Sequence, residues 1–113
     1  MMKTVENNKD YEALIAQGKP ILLDFYADWC VSCIELEVFT FADTNVQSAL
    51  KSYRVIKVDV TANDAPAKSL NKAYSLIGPP ALIFYNRKGD LLPNKTLIGV
   101  VDPQDFVNHI SGI

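Results

Sequence analysis

The chain has 113 residues, with 11 Lys and Arg against 13 Asp and Glu, and a formal net charge of −2. This length suits one domain with a single hydrophobic core, and balanced charge without a basic run argues against a nucleic-acid partner. The longest apolar stretches, such as residues 81–85, are too short to span a bilayer, and no charged-then-apolar signal segment opens the chain. We therefore expect residues 1–113 to form one soluble α/β domain.

The first half of the chain predicts helices around one buried strand. Gly18 is a stop signal for the first helix, and the strand that follows is apolar enough to be buried on both faces. The predicted elements are, in order, a short strand, a helix, the buried strand, a helix and a short helix: residues 3–5, 8–17, 21–27, 30–39 and 45–51.

The second half alternates between strand and helix signals. Asn63 and Asp64 are typical helix caps, Asp102 is another, and residues 86–90 have the composition of a hairpin turn. The predicted elements are a strand at 53–60, a helix to about 74, a strand at 81–85, a return strand within 95–101 and a last helix from Pro103. This order predicts a mixed central sheet with helices on both faces.

The only two cysteines, Cys30 and Cys33, stand three apart where the buried strand gives way to a helix. The free N–H groups and dipole of a helix's first turn stabilise a thiolate on Cys30, lowering its pKa below about 8.5. A Cys-x-x-Cys in a βαβ pattern is typical of thioredoxin-like redox chemistry. We predict that Cys30, at an exposed corner, is the nucleophile and that the more shielded Cys33 resolves the mixed disulfide.

Two other interpretations of the cysteine pair remain open. A structural disulfide across so short a loop would constrain the unfolded chain little. The second interpretation is that the two cysteines form half of a zinc site. The rest of the chain, however, offers only His109 and carboxylates as further ligands. We therefore expect no metal, and no cofactor besides the redox-active pair itself.

Two carboxylates could tune the thiols. Asp24 interrupts an apolar strand, so burial should raise its pKa, although it could instead satisfy a local backbone N–H near the strand end. Glu37 follows Cys33 by four residues, and on the same helical face it would raise the pKa of the thiols. The alternative for Glu37 is an ordinary exposed glutamate.

Longer motifs resemble the C-terminal periplasmic domain of the DsbD-type thiol:disulfide interchange proteins, a branch of the thioredoxin superfamily. Ordinary thioredoxins usually carry Gly-Pro between the cysteines, where Val31 and Ser32 stand here, and a proline where Val38 stands. The motifs that carry the resemblance are YADWCVSC at 26–33, Thr40-Phe41, VTAND at 60–64 and Gly78-Pro79-Pro80.

The resemblance implies a thioredoxin-like fold and further site roles. It places Asp24 beneath Cys33, where the carboxylate could accept and return the thiol proton. It makes Pro80 a cis-proline opposite the cysteines, although Pro79 before it and the following alanine depart from the family pattern, and a rigid turn is the alternative. Trp29, Pro79 and Pro80 would then contact a partner, with a purely structural role as the rival for Trp29.

The resemblance also implies a place in an electron relay. Such a domain takes electrons from a transmembrane domain and passes them to the N-terminal domain of the same protein, and so to disulfide isomerases and cytochrome c maturation proteins. It would be a monomer as an isolated domain, part of a larger membrane protein, on the periplasmic side of the bacterial inner membrane. The residues alone predict only a dithiol exchanger, so a cytoplasmic thioredoxin and a non-catalytic binding module remain alternatives.

Overall fold

The computed structural model describes residues 3–4 and 18–113. The helix predicted at 8–17 lies outside the described residues, as does the last residue of the strand predicted at 3–5. Within these described residues, five strands form one sheet in the order β1-β3-β2-β4-β5. They are β1 Lys3–Thr4, β2 Ile21–Tyr26, β3 Arg54–Asp59, β4 Ala81–Tyr85 and β5 Leu97–Ile98.

The sheet is mixed, as the sequence predicts. Strand β3 runs parallel to both β1 and β2, whereas β4 is antiparallel to β2 and to β5. Every residue of β2 is buried, because this apolar strand lies at the centre of the sheet with a neighbour on each side. The central strand leads directly into the Cys30–Cys33 turn.

The helices match the predicted positions with shifted ends. They are α1 Val31–Glu35, α2 Thr44–Ala49, α3 Ala65–Ala73 and α4 Pro103–Ile110. Asp64 and Asp102 accept hydrogen bonds from backbone N–H groups as the N-caps of α3 and α4, which confirms these two predicted caps. Asn63 is not the cap of α3, since it precedes Asp64 and has φ +48°. None of the helices that the structure describes is long and apolar enough to cross a membrane.

Two elements differ from the prediction. Helix α1 continues into a π-helical segment, Leu36–Phe41, so this helical run is longer than predicted. Strand β5 is shorter than the predicted range of 95–101 permits. The 3₁₀ turn Pro93–Lys95 comes before the strand. Gly99, which follows the strand, has φ +89°, outside the range of strand residues.

Both faces of the sheet bury apolar side chains against helices. On one face, α3 contributes Ala67 and Leu70 to the cluster that also holds both cysteines. On the other face, Val46 of α2 and Phe106 of α4 pack against side chains of β2 and β4. Helices on both faces are therefore confirmed, and the cysteine pair sits where the first of these layers meets the end of β2.

Candidate active site

The two cysteines close a compact turn at the start of a helix. Their sulfurs are joined in a disulfide, with the Cα atoms 5.3 Å apart. Cys30 is the N-cap of α1, and its Sγ accepts a hydrogen bond from the Cys33 backbone N–H at 3.2 Å. The same N–H would stabilise a thiolate on Cys30, because the first turn of a helix leaves its N–H groups without intrahelical acceptors.

The prediction that Cys30 is exposed is wrong for the oxidised pair. Cys30 is only 7% exposed and Cys33 2%, and both belong to the buried cluster to which α3 contributes Ala67 and Leu70. Cys30 is nevertheless the more accessible sulfur-bearing residue of the two. Trp29 and Val31, on either side of it, are both exposed.

Cys33 has a backbone acceptor beside it. Its Sγ lies 3.9 Å from the carbonyl oxygen of Phe25 in β2. A reduced Cys33 can donate its S–H toward that oxygen, which favours the neutral thiol over the thiolate. The two sulfurs therefore have opposite surroundings, with a donor facing Cys30 and an acceptor facing Cys33.

Asp24 is buried in β2, one residue from that carbonyl. Only 2% of the residue is exposed, and its Oδ2 has no hydrogen-bond partner in the described part of the chain. The pKa of Asp24 is raised from 3.8 to about 7, mainly because the carboxyl group is buried; the charge of Glu37 also raises it, and that of Lys57 lowers it. The predicted rise is confirmed, and the carboxyl group can gain or lose a proton near neutral pH.

Glu37 is neither fully exposed nor unpaired. Its carboxylate lies 3.0 Å from Lys57 Nζ, with about a third of the Glu37 side chain exposed. Lys57 stands opposite Asp24 in the pairing of β2 with β3, and its Nζ lies 3.5 Å from the Tyr26 ring centroid. Two carboxylates and one ammonium thus form a charged group on this side of β2.

Sequence reasoning missed Lys57. A signal was present, because Lys57 interrupts the apolar strand β3 as Asp24 interrupts β2. Opposite charges in two neighbouring strands predict a contact once the strands are known to pair in register. The register, which is not readable from local sequence, is what brings the two positions together.

Trp29 and the proline pair lie at the same end of the sheet. Trp29 is 59% exposed, and its indole Nε1 donates to the backbone oxygen of Thr61 at 2.9 Å. The Pro79–Pro80 peptide is cis, as the resemblance implies. Ala81, the next residue, pairs with Phe25 near the end of β2 and belongs to the buried cluster that holds both cysteines.

We find no candidate metal site among residues 3–4 and 18–113. These residues contain no group of three or more His, Cys, Asp and Glu side chains that could hold a metal ion. His109 packs instead against the Phe84 ring, and its Nε2 lies 2.7 Å from the Lys95 backbone oxygen. His109 is therefore half-buried against the apolar cluster on the opposite face of the sheet from the cysteines.

A mixed sheet covered on both faces, a helix capped by the first cysteine of a Cys-x-x-Cys and a cis-proline before β4 define the thioredoxin-fold class of proteins. Residues 7–111 match the Thioredoxin-like domain family, and the chain belongs to it. Within that family it is similar to the DsbD branch, which the motifs around the cysteines also indicate.

Curated relatives and a crystal structure support the assignment to this branch. The chain is 40% identical over 110 residues to the thiol:disulfide interchange protein DsbD of Escherichia coli, covering 96% of this chain and 19% of the relative. The DsbD of Ralstonia nicotianae is 47% identical over 88 residues, which cover 78% of this chain and 14% of the relative. The chain thus spans less than a fifth of these relatives. The oxidised C-terminal domain of Neisseria meningitidis DsbD has a TM-score of 0.77 at 30% identity, with 96% of this chain and 95% of that domain covered.

Proposed function

We propose that this domain is a thiol:disulfide reductase that relays electrons from a transmembrane domain to a periplasmic partner domain of a DsbD-type protein. The observation that carries the proposal is the Cys30–Cys33 disulfide at a helix N-cap, in a fold that matches a DsbD C-terminal domain nearly end to end. The domain lies on the periplasmic side of the inner membrane and works as a monomeric unit. It needs no metal or other cofactor, because the pair itself stores the two electrons.

In the first step, the reduced pair attacks a partner disulfide. The Cys30 thiolate forms a bond to one partner sulfur, and the partner's other sulfur leaves as a thiolate. The Cys33 N–H, 3.2 Å from Cys30 Sγ, stabilises the attacking thiolate before the bond forms. The product is a mixed disulfide between Cys30 and the partner.

In the second step, Cys33 releases the partner. Its thiol loses a proton, its thiolate attacks Cys30 Sγ, and the second partner sulfur leaves as a thiolate. The Cys30–Cys33 disulfide forms, and two electrons have moved to the partner. Its 2% exposure suits Cys33 to this internal attack and not to the first one.

Asp24 accepts the proton that Cys33 loses and returns it when the pair is reduced again. A pKa of about 7 keeps a substantial ionised fraction at neutral pH while leaving the carboxyl easy to protonate. Glu37 acts on the same site by charge, since its carboxylate raises the pKa of Asp24 and disfavours thiolates nearby. Both carboxyl groups restrain the pair from reacting with small disulfides in the absence of a partner.

The partner docks on the exposed apolar surface around the pair. Trp29 and Val31 are largely exposed, and Ile77 is fully exposed in the loop that leads to Pro79 and Pro80. Aromatic and aliphatic side chains of this kind are the usual anchors of protein interfaces. The partner is therefore another protein domain that covers Trp29 and the cis-proline.

Trapping the mixed disulfide tests this function. Cys33→Ala keeps the nucleophile but removes the resolving thiol, so the proposal predicts a stable disulfide between Cys30 and a DsbD-type N-terminal domain. Cys30→Ala, which keeps only the less accessible Cys33 thiol, is the matched control and should trap little. Reduction of the wild-type protein by thioredoxin reductase, without any trapped periplasmic domain, would instead assign it to the cytoplasmic thioredoxins.

A further inference from the structure

We propose that Thr61 is a positioning residue that holds Trp29 in a fixed orientation beside the cysteine pair for partner docking. The inference deepens the proposed function and rests on it, because an oriented Trp29 matters only if a partner docks there. Thr61 follows β3 and is half-buried. The Asp28–Trp29 corner that it contacts is exposed.

Thr61 holds this corner through two hydrogen bonds from different parts of the residue. Its Oγ1 accepts from the Asp28 backbone N–H at 2.9 Å, and its backbone oxygen accepts from Trp29 Nε1 at 2.9 Å. The first bond fixes the backbone that precedes Trp29, and the second fixes the plane of its indole ring. Both join positions more than thirty residues apart, so they tie the β2–α1 corner to the end of β3.

Asp59 fixes Thr61 in turn. The Asp59 carboxylate accepts from the Thr61 backbone N–H at 2.9 Å and from the Thr61 hydroxyl. The hydroxyl proton is therefore committed to Asp59, which leaves the oxygen's lone pairs directed at the Asp28 N–H. The Val60 N–H donates to the Tyr26 backbone oxygen at 2.8 Å, so the parallel pairing of β2 and β3 continues to the base of the corner.

The need for such a support follows from the exposure of Trp29. With 59% of its surface open, this side chain has little packing to select one rotamer. Ordering it when a partner binds would oppose association, since fixing a large side chain at an interface carries an entropic penalty. A Trp29 already fixed through Thr61 avoids that penalty and presents its ring to the partner.

The test compares Thr61→Val with Thr61→Ser. Valine keeps the shape of threonine but removes the hydroxyl, whereas serine keeps the hydroxyl. Thr44→Val is the matched control, because Thr44 is exposed at the start of α2, whereas Thr61 lies in the turn after β3. Trp29 is the only tryptophan of the chain, so acrylamide quenching of its fluorescence reports on this side chain alone.

The inference predicts stronger quenching of Trp29 in Thr61→Val than in Thr61→Ser, Thr44→Val or the wild-type protein. Its second-order rate of exchange with the oxidised N-terminal domain of the Escherichia coli relative should fall by about fivefold, the effect of one net hydrogen bond. Its exchange with glutathione disulfide, which needs no docking surface, should be unchanged. Asp59→Ala, which removes the group that orients the Thr61 hydroxyl, should show the same pattern and serves if Thr61→Val does not fold.

Two results would overturn the inference. One is wild-type quenching and wild-type exchange with the N-terminal domain in both Thr61→Val and Asp59→Ala. The other is an equal loss of rate with the protein domain and with glutathione disulfide, which would place the effect on the cysteines. If the wild-type protein itself does not exchange with the N-terminal domain, the proposed function fails, and the quenching comparison still decides whether Thr61 positions Trp29.

Discussion

Asp24 is a carboxyl group held inside an apolar strand, and its effect on stability depends on pH. Its pKa is 3.8 in an unstructured chain and about 7 in the folded protein. Between these values the folded protein keeps a proton that the unfolded chain has released, so stability falls as pH rises through this window. Above it, the ionised buried carboxylate destabilises the fold by about 4 kcal/mol.

Asp24→Asn should remove this pH dependence, because the amide does not ionise. In the oxidised protein, the free energy of unfolding of the variant relative to wild type should increase by up to about 4 kcal/mol between pH 4 and pH 8. Urea unfolding at a series of pH values measures this difference. A constant difference across the range would mean that Asp24 is not the buried, uncharged acid described here.

At this scale the sequence predicts the redox-active cysteine pair and the raised pKa of Asp24, because each departs visibly from its surroundings. An acid within an apolar strand and two cysteines at a strand-to-helix junction are local signals. The burial of Cys30 and the pairing of Glu37 with Lys57 are not local, since they depend on how a helix and β3 come together. Thr61 was part of a recognised motif, but its contacts with Asp28 and Trp29 required the three-dimensional structure.

At the scale of elements, an ion pair joins the π-helical segment to β3 and places two opposite charges near Asp24. Glu37 belongs to that segment and Lys57 to β3, and their side chains meet at 3.0 Å. Their charges act on Asp24 in opposite directions. The titration of Asp24 therefore reports on the balance between two elements and not on its burial alone.

Substitutions at the two ends of this link should move the pKa of Asp24 in opposite directions. Lys57→Gln removes a nearby positive charge and should raise it by about one unit, whereas Glu37→Gln removes a negative charge and should lower it. The carboxyl ¹³C chemical shift of Asp24 in the oxidised protein, followed over pH, measures both. Glu35→Gln is the matched control, because Glu35 is exposed on the same helical run.

Shifts of the same sign in Lys57→Gln and Glu37→Gln would contradict this electrostatic account. Equal shifts in Glu35→Gln and Glu37→Gln would show that overall charge matters and that the contact with Lys57 does not. Lys57→Arg keeps the charge and should leave the pKa of Asp24 close to the wild-type value.

Most elements could be predicted because their signals are local. Asp64 and Asp102 cap helices that carry a proline in the first turn, and apolar runs mark β2 and β4. The π-helical segment could not be predicted, since nothing in its sequence distinguishes it from an α-helix. Its Thr40 hydroxyl donates to the Val101 backbone oxygen, a contact between distant parts of the chain.

At the scale of the whole molecule, the fold brings four segments to one end of the sheet. The end of β2, the start of α1, the loop after β3 and the cis-proline before β4 meet around the cysteine pair. Each contributes one part: the carboxyl group of Asp24, the capped sulfur of Cys30, the anchor at Thr61 and the peptide at Pro80. The proposed exchange with a docked protein and the proposed restraint towards small disulfides both rest on this arrangement.

The direction of electron flow is the central claim, and one measurement tests it most directly. Fully reduced protein is mixed with an equimolar amount of the oxidised N-terminal domain of the Escherichia coli relative, the mixture is quenched with acid, and the thiols of each domain are counted. The account predicts that the Cys30–Cys33 disulfide forms while the partner gains its two thiols, close to one for one. If the protein instead kept its dithiol and the partner remained oxidised, it would not be the reductant proposed here.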